Sequence, residues 1–294
     1  MSEDILDSTP MRDALTLTQP AFAMPPLACD SHVHVFGPLE RYPRVANPHY
    51  TLPDGGPALL DRMTRKMRLD RFAIVQPSFY GTDNRCMLDA LGAFGDRARG
   101  VAMVDDDVTD DTLAAMHRRG VRALRLDLFK RVSWSTADIS AYILRSVERV
   151  RPLGWHLQFY TPGKVVRDLI PMLGDVACDY VIDHMGYMLE SDGLTRADFD
   201  RLIAAVAQGK GWMKLSGPYR LAKDRNYAKL QPLARAIVDA VPDRTVWGSD
   251  WPHIPDGAMD TGELLNLLGE WVPDEASRKR ILTDNPARLY GFES

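Results

Sequence analysis

The chain has 294 residues, of which 45% are hydrophobic, and a formal net charge of −4 at pH 7. This balance offers no basic footprint for nucleic acid, and no apolar run approaches the roughly 20 residues of a membrane span. A soluble, cytoplasmic enzyme or small-molecule binder is the expectation. Residues 1–27 lack the basic start and long apolar stretch of a secretory signal and read as an N-terminal arm, extended or disordered, before one domain over 28–294. Cys29, Cys86 and Cys178 are odd in number and widely spaced, which fits reduced thiols rather than disulfides or a zinc knot.

In chain order, β-rich segments fall near 28–36, 71–77, 99–105, 121–129, 155–161, 179–185, 212–218 and 245–251. Between them apolar residues recur at helical spacing, as in Met87-Leu88-Leu91-Phe94, Ile139-Ile143-Val147-Val150, Leu202-Ile203-Val206 and Leu233-Ile237-Val241. Eight strands alternating with helices predict a single-domain (β/α)8 barrel. A doubly wound open sheet competes, but no Gly-x-Gly-x-x-Gly turn follows the first strand. The loop 38–57 is rich in Pro and Asn and carries Tyr42, His49 and Tyr50; its length points to a functional lid or wall.

Three strand ends carry titratable groups. His32 and His34 are two apart, so a strand projects both imidazoles from one face and turns Val33 and Val35 to the other. Val181-Ile182-Asp183-His184-Met185-Gly186 and Thr245-Val246-Trp247-Gly248-Ser249-Asp250-Trp251-Pro252-His253 each end an apolar run in a titratable residue. In a parallel barrel all strand C-termini share one mouth, where catalytic groups collect.

These motifs resemble the amidohydrolase superfamily, specifically its lactonase branch typified by 2-pyrone-4,6-dicarboxylate lactonase. The resemblance runs from about Cys29 to Tyr290. It includes Val75-Gln76-Pro77-Ser78, Leu124-Arg125-Leu126 with Lys130-Arg131, and Asn285-Pro286-Ala287-Arg288-Leu289-Tyr290. It implies that Asp250 activates water, that His32, His34 and His184 surround the scissile carbonyl, and that Arg125, Arg131 and Arg220 hold substrate carboxylates. Tyr160 matches a tyrosine of that pocket, with Ser78, Tyr50 and His253 as further substrate-binding residues.

Metal is the open choice. His32, His34 and Asp250 are ligand types suited to zinc or manganese, and many members of the superfamily are metal hydrolases. The fourth strand lacks their bridging Lys or Glu, the fifth ends in Tyr160 where they place a His, and His156 stands at the wrong end of its strand. The expectation is therefore no required cofactor, with one divalent ion as the alternative.

Arg125 lies in an alternating apolar strand, where a charge facing the barrel must find an anion. With Arg131 and Arg220 it points to a small carboxylated or sulfonated lactone; ion pairs with Asp127 and Asp224 are the competing reading. The functional expectation is hydrolysis of the ring ester of such a lactone. A metal-dependent hydrolase or decarboxylase on the same barrel, and a noncatalytic dicarboxylate binder, are the alternatives. Oligomeric state is not legible.

Overall fold

The structure is a computed structural model and describes residues 10–45, 51–52 and 55–293. Eight parallel strands follow one another around a barrel in chain order: β1 (Cys29–Val33), β2 (Arg71–Val75), β3 (Ala98–Ala102), β4 (Val121–Asp127), β5 (His156–Tyr160), β6 (Tyr180–Ile182), β7 (Gly211–Leu215) and β8 (Thr245–Trp247). Closure between β8 and β1 is made beyond the end of β8. Val33 bridges Trp251 in parallel, the Asp250 amide donates to the His32 carbonyl at 2.9 Å, and the His34 amide donates to the Trp251 carbonyl at 2.8 Å. The chain segment bearing Asp250 is thus hydrogen-bonded to the segment bearing both histidines.

Alternation along the strands sorts side chains into two cores. Cys29, Ala73, Val75, Val101, Ala123, Val181, Trp212 and Val246 fill the inside, while Val33, Ile74, Leu126, Phe159, Ile182 and Leu215 pack outward against the helices. Those helices bury single stripes, such as Ile139, Ile143, Val147 and Val150 on the helix Thr136–Val150. One irregularity matters for the site. Between Asp30 and Val33, three residues of β1 step against two of β2, a bulge that lets Cys29 face inward below and His32 and His34 face inward above. The lower end is plugged by Leu289 and Tyr290 of the last helix, Asn285–Tyr290, and by Phe292 just after it. His156 sits there, its ring 5.2 Å from that of Tyr290, at the opposite end of β5 from Tyr160.

Residues 10–27 of the arm pack along the barrel rather than trail from it. Asp260 accepts from the Thr18 amide at 3.1 Å and from its hydroxyl at 2.9 Å, and the Arg12 amide donates to the Gly257 carbonyl at 2.9 Å. Cys29, Cys86 and Cys178 are free and buried. Among the described residues no helix is long and apolar enough to cross a membrane.

Candidate active site

The chain leaves β6 and β8 in conformations that regular strands do not use. His184 has φ 51° and Asp250 φ 64°, left-handed backbone that costs a non-glycine residue about 1–2 kcal/mol and that clusters at functional sites. Two glycines make the room. A Cβ on Gly217, itself at φ 57°, would lie 2.7 Å from His184 Nδ1, and one on Gly248 would lie 2.6 Å from His32 Cβ.

The result is a compact group. The His32 ring is 5.0 Å from that of His34 and 5.0 Å from that of His184. Asp250 Oδ1 faces His34 Nε2 at 3.4 Å and His32 Nε2 at 3.6 Å. Its other oxygen, Oδ2, accepts from Arg220 Nε and from the Tyr219 hydroxyl, each at 2.6 Å. His34 Nδ1 lies 2.8 Å from the Val75 carbonyl; a carbonyl only accepts, so Nδ1 carries the proton. His184 Nδ1 pairs with Ser216 Oγ at 2.8 Å.

Burial opposes ionisation of Asp250, but Arg220 and the surrounding imidazoles outweigh it and hold the carboxyl well below its ordinary range. Burial pushes His184 down to about 4. His32 is driven well below its usual value by burial and then by the Lys214 ammonium, against the pull of Asp183. At neutral pH the site holds a carboxylate beside uncharged His32 and His184.

Beneath this group lies a pair for which the sequence reading assigned no role. Lys214 and Asp183 are both fully buried and form an ion pair at 2.9 Å. Lys214 Nζ is also 3.3 Å from His32 Nδ1, and Gln158 donates to Asp183 Oδ2 at 2.9 Å. The signal was available. Lys214 stands in an apolar strand two residues after inward-facing Trp212, the same pattern that singled out Arg125.

The remaining residues named from sequence fall in several places. Arg125 is buried, donates to the Gln76 carbonyl at 2.8 Å and lies 4.2 Å from the Tyr160 ring centroid. No carboxylate pairs with it among the described residues. Tyr160 stands 6.1 Å from the His184 ring. Arg220 belongs to the group, but its partner is Asp250 rather than Asp224, which pairs with Lys229 at 2.7 Å. The Arg131 guanidinium is placed between the rings of Tyr142 and Trp134 and donates to the Asp127 carbonyl, outside the histidine group. Ser78 donates to the Asp127 carboxylate, and Lys130 donates to the Ser78 carbonyl at 3.2 Å. His253 borders the group through Tyr219, at 5.8 Å between rings, and bonds Thr261 Oγ1 at 2.9 Å. It lines a separate cavity of about 500 Å³ under arm residues Met11, Arg12 and Leu17. Tyr50 and His49 lie outside the described residues.

His32, His34 and Asp250 each offer one ligand atom, all within 4.8 Å of one another, and His32 Nε2 and Asp250 Oδ1 are buried without hydrogen-bond partners. This donor set fits one divalent ion of the zinc or manganese kind. A second trio, His32, Asp183 and His184, meets the same distance, but the Lys214 ammonium already neutralises its carboxylate. The first trio is therefore the better fitted of the two to hold an ion.

Comparison with known proteins places this geometry. The amidohydrolase family profile matches residues 29–292. The chain is 32% identical to 4-sulfomuconolactone hydrolase of Hydrogenophaga intermedia, over 92% of this chain and 90% of the relative. It is also 32% identical to 2-pyrone-4,6-dicarboxylate hydrolase of Comamonas testosteroni, over 93% of each. An Acinetobacter baumannii crystal structure described as a probable 2-pyrone-4,6-dicarboxylic acid hydrolase with citric acid bound superposes with a TM-score of 0.80. Identity there is 26%, over 90% of this chain and 100% of that one. The chain belongs to the amidohydrolase family, as a hydrolase of its lactonase branch.

Proposed function

We propose that this protein opens the ring ester of a small lactone bearing carboxylate or sulfonate groups, with Asp250 as the base that activates water. The observation that carries the reading is the unequal use of the two Asp250 oxygens. Oδ2 is held by Arg220 and Tyr219, whereas Oδ1 looks onto His32 and His34.

A water seated over the triangle of Asp250 Oδ1, His34 Nε2 and His32 Nε2 meets an acceptor at the carboxylate and a second at His34, whose proton is on Nδ1. As the water oxygen bonds to the ester carbonyl carbon, its proton passes to Oδ1. His184 stands beside this point to donate to the developing oxyanion. The ring C–O bond then breaks and Asp250 returns the proton to the leaving oxygen. A carboxyl held well below its ordinary value is a weak base but a ready acid, so it does not retain that proton. An ester carbonyl, more electrophilic than an amide, is the substrate that such a base can serve.

The substrate's charge follows from Arg125. A buried guanidinium without a carboxylate partner is costly unless an anion completes it, and a planar anion such as a carboxylate suits its fork. The names of the curated relatives, a dicarboxylate hydrolase and a sulfonated-lactone hydrolase, support the same class.

Metals are common in the superfamily. An ion held by His32, His34 and Asp250 would supply Lewis-acid polarisation of the scissile carbonyl. The proton path above uses the chain's own groups, and we propose that no metal is required. A screen of carboxylated, sulfonated and neutral lactones, read by acid release with and without chelator, tests the proposal. It expects turnover of the anionic lactones in both arms; turnover of none of them would refute it.

A further inference from the structure

We infer that Lys214 is a positioning residue that fixes the tautomer of His32, placing the ring proton on Nε2 so that the imidazole donates toward Asp250. The inference concerns the site whose hydrolytic role is proposed above, and it rests on that reading only for its catalytic consequence.

Lys214 and Asp183 compete for one face of the His32 ring. Nδ1 is 3.3 Å from Lys214 Nζ and 3.5 Å from Asp183 Oδ1. The ammonium can only donate and the carboxylate can only accept, so the two tautomers satisfy different partners. With the proton on Nδ1, the ring serves Asp183 but points an N–H at the Lys214 cation. Its Nε2 lone pair would then face the Asp250 carboxylate, 3.6 Å away. With the proton on Nε2, Nδ1 accepts from Lys214 and Nε2–H points at Asp250 Oδ1. Two of the three contacts are then complementary rather than one. Asp183 does not depend on His32, because it already holds Lys214 at 2.9 Å and Gln158 at 2.9 Å.

All these groups are buried, with no bulk water to screen a mismatched contact. Remove the ammonium and each ring nitrogen faces one carboxylate, but Asp250 keeps its Arg220 partner while Asp183 loses the Lys214 cation, so the uncompensated charge beside Nδ1 draws the proton there. His32 would then carry its proton on Nδ1 and present a bare Nε2 to Asp250. That is the state in which His32 can ligate a metal ion, whereas a protonated Nε2 cannot. Lys214 therefore assigns the first histidine of the pair to hydrogen-bond donation and withholds it from a cation.

The test is ¹⁵N spectroscopy of the His32 ring in chelator-treated protein, for wild type, Lys214→Met and Lys214→Gln. Wild type is expected to show a protonated Nε2 and a bare Nδ1. Lys214→Met should show the reverse, and Lys214→Gln, whose amide can still donate, should restore the wild-type pattern. Zinc affinity, measured by competition with a chromophoric chelator, should rise at least tenfold in Lys214→Met and return toward wild type in Lys214→Gln. A wild-type His32 protonated on Nδ1 overturns the inference, and needs no variant to fold. So does a Lys214→Met protein whose tautomer and zinc affinity match wild type. Neither readout uses turnover, so failure of the lactonase proposal would leave this result separately readable.

Discussion

The Arg220 guanidinium and the Asp250 carboxylate share one hydrogen bond, Nε to Oδ2 at 2.6 Å, and that contact leaves the other oxygen, Oδ1, facing His32 and His34. Arg220 lies five residues beyond the end of β7, on the short helix Pro218–Leu221, while Asp250 lies just beyond β8. The pair ties adjacent strand ends together and keeps the carboxyl ionised.

Removing the guanidinium tests this directly. Arg220 works against burial to hold Asp250 well below the ordinary carboxyl range, so Arg220→Met should raise the Asp250 pKa. The acid limb of kcat/KM should move to higher pH, with at least a tenfold loss at neutral pH. An acid limb that stays where it was would separate Arg220 from the ionisation of Asp250.

Arg125 is expected to act on the substrate rather than on the protein. A charge-assisted hydrogen bond is worth roughly 1.5–3 kcal/mol. Arg125→Met should therefore lower kcat/KM for a carboxylated lactone by about ten- to a hundredfold and leave a neutral lactone of the same ring nearly unaffected. Equal losses on both would assign Arg125 a structural role.

Gly217 gives a steric test. An added Cβ would meet His184 Nδ1 at 2.7 Å, and its φ of 57° is unfavourable for alanine. Gly217→Ala should displace the imidazole, breaking its bond to Ser216 and reducing kcat at least tenfold while the barrel remains folded. Wild-type kcat in a folded Gly217→Ala protein would show that the position of His184 does not matter.

Acid should destabilise the fold through its buried histidines. Burial lowers His156 to about 3 and His184 and His253 to about 4. The unfolded chain takes up protons near pH 6.5 that the native state refuses, so stability is complete above that value and falls as pH drops toward 4. At pH 5 each such histidine costs about 2 kcal/mol. Denaturant unfolding at pH 7 and pH 5 should show His156→Gln losing about 2 kcal/mol less than wild type over that interval; an identical loss would contradict the assignment.

Much of the fold was legible because the barrel repeats one pattern. The helix expected around Ile139–Val150 is observed at Thr136–Val150, and that around Met87–Phe94 at Arg85–Phe94. Strand ends were read too long. The segment near 179–185 contains only Tyr180–Ile182 as strand, and that near 245–251 only Thr245–Trp247. Burial continues past the ladder in both places, but His184 and Asp250 adopt left-handed backbone, which apolar periodicity does not encode. The meeting of His32, His34, His184 and Asp250 followed from their strand-end positions. The partners did not: Arg220 lies on Asp250, Arg131 lies among Tyr142 and Trp134, and Lys214 lies on Asp183. Charge pairing across a barrel depends on side-chain reach, which sequence spacing leaves open.

The most direct test of the account is steady-state hydrolysis of a carboxylated lactone, such as 2-pyrone-4,6-dicarboxylate, by wild type and Asp250→Asn under identical chelated conditions. Asparagine keeps the size and one oxygen but cannot take the water's proton. The account predicts turnover by wild type and a loss on the order of a hundredfold or more in kcat for the variant, with KM little changed. An Asp250→Asn protein that hydrolyses the lactone at near wild-type rate would contradict it.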